Sequence, residues 1–327
     1  MKKTLSILLV VLLATTSLFA GVNLKGRIGF GHTIGFDGTT TAGDYLGDGK
    51  AVNGGRFQVL VDSDYVTGEI RNGGARDQIT GTATIKLSSI LNDGFGLELP
   101  VNVNVLAGNQ SFTSSYAYGY ADPTDREDNL ALNAARTSMP AGIVVSYGDV
   151  ATVNVYGSIT SGDRKALAEI QLAPVNGVKV QAAYALNNGA DNLQASALVD
   201  VAALAKADFA LTVSGQIIAN TEDFSKAAYY AALTGGVKDA SAYAEYVNKA
   251  GVSTVNLGAG YKINAEKLPV SLGAGVSLDN FDALKVGASV SASTSFSNIS
   301  TQLKVGVSDF SDVQANGYVR FATLVSF

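Results

Sequence analysis

The sequence offers few groups able to do covalent chemistry. It has no cysteine and a single histidine, His32, in the stretch "GFGHTIG". A hydrolytic triad needs a histidine set between an acid and a nucleophile, and a histidine-based metal centre needs more than one such ring. Asp37 and Asp44 lie near His32 in sequence, but nothing in their spacing obliges either to reach it. The reading is therefore not an enzyme: no catalytic residue, no metal and no cofactor. "GDYLGDGK" (43–50) sets Asp44 and Asp48 among glycines, yet lacks the ligand spacing and closing glutamate of an EF-hand loop. The glycines of 29–35 are not a phosphate loop either, because no helix follows and no lysine is in place.

Charge is the remaining chemistry. Four acids, Asp122, Asp125, Glu127 and Asp128, crowd into "SYAYGYADPTDREDN" within the segment 107–129. Five basic residues, Lys25, Arg27, Arg56, Lys86 and Arg320, fall on the polar phase of early or terminal segments. Opposed acidic and basic groups across a narrow water-filled space set up a transverse field that orders water and sorts ions. The bland alternative is a solvated loop whose charges do nothing specific, with the basic side chains paired to neighbouring carboxylates for stability. Tyr116, Tyr118 and Tyr120 alternate in the same stretch, too few to mark a path for a particular solute.

The elements that must position these charges show a period of two. "GFGLELPVNVNVL" sets Phe95, Leu97, Leu99, Val101, Val103 and Val105 against Glu98, Asn102 and Asn104. "GVKVQAAYAL" sets Val178, Val180, Ala182, Tyr184 and Leu186 against Lys179 and Gln181. Turn signals such as Asn176-Gly177 and Asn188-Gly189 separate the segments. The Ala-rich run 193–213 carries Asp200, Lys206 and Asp208, too costly for a membrane helix, and reads as two strands with a turn at 202–206. The whole chain is 47% hydrophobic and only 16% charged, yet past residue 20 it holds no apolar run of membrane-helix length. Apolar content spread by alternation, without long apolar runs, is the mark of a transmembrane barrel. A secreted sandwich also alternates, but the polar phase here is rich in Gly, Ser, Asn, Thr and Lys, which suits a wet interior, and a closed ring removes exposed sheet edges.

The expected fold is an all-β, antiparallel, up-and-down transmembrane barrel of about sixteen strands, with eighteen the next choice and fourteen the lower limit. Eighteen segments can be drawn, and 65–71 and 130–138 are the two dropped to reach sixteen. Residues 1–20 read as a cleaved secretory signal: Lys2 and Lys3, then the apolar core Leu5 to Leu13, then Ala20 before Gly21. The barrel would occupy 21–327. The full chain carries a net charge of −5, and losing Lys2 and Lys3 makes it more acidic, which argues against nucleic acid. The chain ends on "GYVRFATLVSF", with Val319, Phe321, Thr323, Val325 and Phe327 in one phase and Arg320 in the other.

In its signal, alternation, one-sided long connections and aromatic ending, the chain resembles general bacterial outer-membrane porins. That resemblance implies outer-membrane lipid as surroundings and a water-filled channel for passive diffusion of ions and small hydrophilic solutes. It implies that the third outer loop, carrying the four acids, folds inward and narrows the bore against the five basic residues. It implies an assembly signal at Phe321 and Phe327 read by the barrel-assembly machinery, and a homotrimer. The alternative function is an outer-membrane adhesin or structural barrel whose loops bind host or matrix.

Overall fold

The computed structural model describes residues 23–42, 56–72, 79–112, 137–158, 165–187, 191–249, 251–264 and 269–326. Its first half runs β1 (Asn23–Gly35), β2 (Thr40–Ala42), β3 (Arg56–Asp62), β4 (Val66–Asn72), β5 (Ile79–Lys86), the helix α1 (Leu87–Phe95), β6 (Asn102–Phe112), β7 (Thr137–Tyr147), β8 (Ala151–Gly157) and β9 (Lys165–Val175). The second half runs β10 (Val178–Asn187), β11 (Asn192–Asp200), the short helix α2 (Val201–Ala205), β12 (Ala210–Asn220), β13 (Ala228–Val237) and β14 (Ala240–Lys249). It closes with β15 (Val252–Ile263), β16 (Val270–Asp279), β17 (Lys285–Phe296), β18 (Ile299–Val307), the single turn α3 (Val313–Asn316) and β19 (Gly317–Ser326).

Every neighbouring pair is antiparallel, and the pairing closes on itself. β1 pairs with β3 on one side, Arg27 opposite Gln58, and with β19 on the other, Thr33 opposite Arg320. From β3 to β19 each strand pairs with the next in sequence, so eighteen strands form one ring, and β2 is a short hairpin partner on the end of β1. Closure leaves no strand edge to be satisfied by lipid. No helix among the described residues is long and apolar enough to cross a membrane.

The ring corrects the expectation of sixteen, and the reasons are local. Segment 65–71 is a genuine strand, β4, whose turn is tied by Ser63, which exchanges hydrogen bonds with Val66. Segment 142–158 is not one strand but the hairpin β7–β8, broken at Gly148, whose φ of 48° suits glycine. Positions 137 and 138 of the expected strand 130–138 belong to β7, and 130–136 lie outside the described residues. Residues 87–95 form α1, where strands are expected over 78–90 and from 95 with a turn at 92–94: Leu87, Ile90 and Leu91 recur at helical spacing, and Gly96 ends the helix in the left-handed region. Phe95, Leu97 and Leu99 are therefore not on β6. The 193–213 run divides as expected, with α2 capped by Asp200, which accepts from Ala203 N at 2.9 Å.

The two phases of the strands face opposite surroundings. Val153, Val155, Ile170, Leu193, Val213, Leu233, Leu257, Val276, Val290, Leu303 and Phe321 are exposed on the outside. Aromatic residues gather at both ends of this apolar band. Tyr147, Phe209, Tyr261 and Phe296 are exposed at the end where β1 begins and β19 finishes, and Tyr184, Tyr229, Tyr246, Phe281 and Phe310 at the other. Aromatic belts at the two edges of an apolar band match the two interfaces of a bilayer.

Candidate functional site

The inner face has two unlike arcs. On β15 to β17 the inward positions of the mid-strands beyond Asn256 are Gly258, Gly260, Gly273, Gly275, Gly287 and a run of serines, Ser277, Ser289, Ser291 and Ser293, with Lys262, Asp279 and Lys285 in the same phase at the strand ends. From β8 to β14 large side chains recur at the inward positions, and many are buried. Two modules repeat there. Tyr156 lies over Gly142, its Cα partner on β7, so closely that a Cβ at Gly142 would stand 2.1 Å from the ring. Tyr243 covers Gly258 on β15 in the same way, at 2.2 Å. Two residues from each tyrosine along its own strand stands one member of a cross-strand carboxylate–amide pair. Asn154 Nδ2 donates to Glu169 Oε1 at 2.9 Å, and Asn256 Nδ2 donates to Glu245 Oε2 at 3.1 Å.

Both carboxylates are buried, Glu169 at 4% exposure and Glu245 at 5%. Each borders an apolar cluster. Tyr156, Leu167, Ala183 and Ala185 pack with Leu106 and Val144 beside Glu169, and Tyr230, Ala232 and Val247 with Ile218 beside Glu245. Other inward amides are buried too, with Ser196 donating to Gln181 Oε1 at 2.8 Å. This departs from the wet inner face expected of the sequence.

Eighteen strands spaced about 4.8 Å apart and tilted about 40° give a backbone radius of roughly 18 Å. Asn256 at 0% and Lys304 at 2% are nonetheless covered by their neighbours on the wall.

The expected charged residues fall in three groups. Asp122, Asp125, Glu127 and Asp128 lie outside the described residues, on the connection 113–136 between β6 and β7. That connection is the third on the end of the ring away from the chain termini. Tyr116, Tyr118, Tyr120, the segment 43–50, residues 1–20 and Phe327 are also outside them. Positions 25, 27 and 56 fall in register on the same alternation as Arg320, on β1 and β3 beside β19. Arg320 Nε donates to Thr33 Oγ1 at 3.2 Å, and the guanidinium stands 5.5 Å from the Tyr318 ring centre. Lys86 lies at the opposite end of the ring. Its Nζ donates to the Ser63 carbonyl at 2.6 Å and pairs with Asp62 at 3.6 Å, which ties the end of β5 to β3. His32 faces outward on β1, opposite Phe321, away from any acid of the inner face.

Sequence reasoning missed the buried inner charges. Lys304, Glu169 and Glu245 all sit in the polar phase of strands the pattern defines, between Leu303 and Val305, Ala168 and Ile170, Ala244 and Tyr246. The phase was a sufficient signal. It also missed a device of the outer rim. One-turn helices at Phe224–Lys226, Phe281–Ala283 and Phe310–Asp312 each present an exposed phenylalanine right after Asp223, Asn280 or Asp309. Asp223 and Asp309 accept from the backbone of Ser225 and Ser311. These bonds hold both carboxyls below the usual carboxylate range: at Asp223 chiefly the side-chain bonds from Lys226 and Ser225, at Asp309 chiefly the backbone bond from Ser311.

Among solved structures, the fold matches bacterial outer-membrane porins. It aligns with Pseudomonas aeruginosa OccK10 at a TM-score of 0.62 and 10% identity, covering 94% of this chain and 99% of that one. It aligns with P. aeruginosa OprD at 0.58 and 8%, covering 94% of each. A mutant of the Rh. blastica porin aligns at 0.55 and 10%, covering 94% of this chain and all of the other. No family model and no curated protein matches the sequence. The chain is thus a porin-like β-barrel, and identities this low speak for the fold alone.

Proposed function

We propose that the protein is an outer-membrane channel through which ions and small hydrophilic solutes diffuse passively. The observation that carries this reading is the closed ring of eighteen strands with apolar side chains outside and charged and amide side chains inside. Its structural neighbours are porins, which are channels and not enzymes. Residues 1–20 direct export and are removed, and 21–327 insert into the outer membrane. Phe321, exposed on the outer face, and the terminal Phe327 form the signal read by the barrel-assembly machinery. Phe327→Ser is expected to leave export intact and lower the outer-membrane level, read by fractionation. The trimer is checked by the native mass of the detergent-solubilised protein.

The four acids of 113–136 line the narrow part of the bore with Arg320 and positions 25, 27 and 56 across from them. Lys86, tied to Asp62, serves the wall instead, at the end of the ring where position 25 also lies. Liposome swelling with neutral sugars of rising size tests the channel: swelling by the smallest sugars supports it, and no swelling by any of them sinks it. One observation favours a second reading. The buried inner belt and its apolar clusters suit a barrel that displays its outer loops to a surface and passes nothing.

A further inference from the structure

On the end of the ring that holds the chain termini, most turns are tight. Two or three residues join β3 to β4, β7 to β8, β9 to β10, β13 to β14 and β17 to β18. Between β5 and β6 the chain instead runs through α1 and a return over 96–101 before the sheet resumes at Asn102. This excursion is firmly held. Ser88 Oγ donates to the Val101 carbonyl at 3.1 Å and accepts from Val103 N. Leu97 N donates to the Leu91 carbonyl, and the Tyr65 hydroxyl is hydrogen-bonded to Asp93.

What these bonds hold in place is apolar and uncovered. Phe95 is 73% exposed, more than any other large apolar side chain among the described residues, and Leu97 is 48% exposed. Leu87, Ile90 and Leu91 are only half-buried. They share one face of α1, with Phe95 one turn beyond Leu91, and Asp93 lies on the other face. Asp93 reaches Tyr65, whose carbonyl accepts from the backbone of Lys86, a residue of the inner phase. The polar face of α1 is thus turned to the inner side of the wall and the apolar face away from it.

The neighbouring strands say what covers that face. Ile85, just before α1, is exposed in the lipid-facing phase of β5. Val103 and Val105 continue that phase on β6, opposite Val145 and Ile143. Asn102 pairs with Ser146, so Tyr147 of the aromatic belt stands level with Val101, the residue that Ser88 grips. The apolar face of α1 therefore continues, at the depth of the belt, a surface that already meets lipid.

We infer that α1 and its return are an interfacial anchor. They lie outside the wall in the headgroup boundary of the inner leaflet, with Phe95, Leu97 and the Leu87–Ile90–Leu91 face on phospholipid acyl chains. The anchor rests on the outer-membrane reading, since it needs a bilayer around the ring.

The sequence has no tryptophan, so one introduced here reports alone. Full-length Phe95→Trp, Leu97→Trp and Phe296→Trp, the last placing the probe in the belt itself, are folded into vesicles of phosphatidylethanolamine and phosphatidylglycerol. The acyl chains are plain or brominated near the headgroups, and iodide is added on both sides. Phe95→Trp and Leu97→Trp are expected to emit at blue-shifted wavelength and to lose emission to the bromines to the same extent as Phe296→Trp, with little loss to iodide. Emission of a water-exposed indole, quenched by iodide and untouched by the bromines, overturns the anchor. Blue-shifted emission that the bromines leave untouched overturns it too, and shows that protein covers this face. Quenching of Phe296→Trp alone sinks the anchor and spares the membrane reading, whereas failure of all three sinks both.

Discussion

From the outside, the arc from β8 to β14 and the arc from β15 to β17 are the same wall: Val153 and Leu233 alternate outward as Leu257 and Val290 do. From the inside they are two materials. One is packed with tyrosines over glycines, apolar clusters and bonded carboxylates, and the other is paved with glycine and serine. Lipid asks the same of every strand, so the outer phase is uniform. The inner phase is free to differ, and that difference is where a barrel acquires a particular interior.

The contrast can be broken most sharply at the glycine under the Tyr156 ring. Gly142→Leu forces a side chain into space that Tyr156 of the packed arc occupies. Overpacking of this kind costs about 1–3 kcal/mol, read as a lower urea midpoint for the folded band on a gel. Ser289→Ala or Ser293→Ala on the smooth arc should stay within about 0.5 kcal/mol of wild type. Equal losses on both arcs would erase the distinction. Next comes Asn256→Leu, which takes a donor from buried Glu245. Unmaking one hydrogen bond to a buried group costs about 1–3 kcal/mol, so this variant should exceed the serine ones.

Two further changes should leave the barrel's stability nearly untouched. Changing Asp122, Asp125, Glu127 and Asp128 together to amides alters the connection between β6 and β7, outside the packed arc. It should reduce or reverse a weak cation preference, seen as a shifted reversal potential across a salt gradient near 0.1 M, where the Debye length is about 10 Å. The smallest effect is at the outer rim, where the turns after β12 and β18 are capped alike. The carboxyls of Asp223 and Asp309 are held below their unfolded value. Their contribution is therefore complete above the ordinary carboxylate range and is lost as pH falls through the depressed value. Acidification through the depressed values should lower the hydrogen-exchange protection factors of Ser225 and Ser311 alike, with the slower intrinsic exchange in acid divided out. A response at one turn only would show that the two caps do not contribute alike.

Much of this was legible in the sequence, because the outer phase repeats. Val178, Val180, Ala182 and Tyr184 announce a strand and its lipid side without reference to any neighbour. Strand number was less legible. Tyr147-Gly148-Asp149-Val150 makes a turn flanked by apolar residues, so the hairpin of 142–158 hides as one long strand. Helix α1 hides because Leu87, Ile90 and Leu91 continue an apolar stretch begun by Ile85, and only three-dimensional packing separates a strand's end from a helix's start. The inner pairs were least legible. Asn154 and Glu169 lie fifteen residues apart, and their meeting depends on the register of two strands across a loop. The four acids stood out by their density, whereas Glu169 and Glu245 are single letters in ordinary polar positions.

The central claim is that this ring conducts, through a bore lined on one arc by large packed side chains. It is tested most directly by single-channel recording of the purified, heat-modifiable barrel in a planar lipid bilayer. The account predicts discrete, stable open steps, smaller than an empty ring of eighteen strands would give, and larger steps when Tyr156 and Tyr230 are both changed to Ala. Correctly folded protein that inserts and shows no step above the bare membrane at any voltage would contradict it.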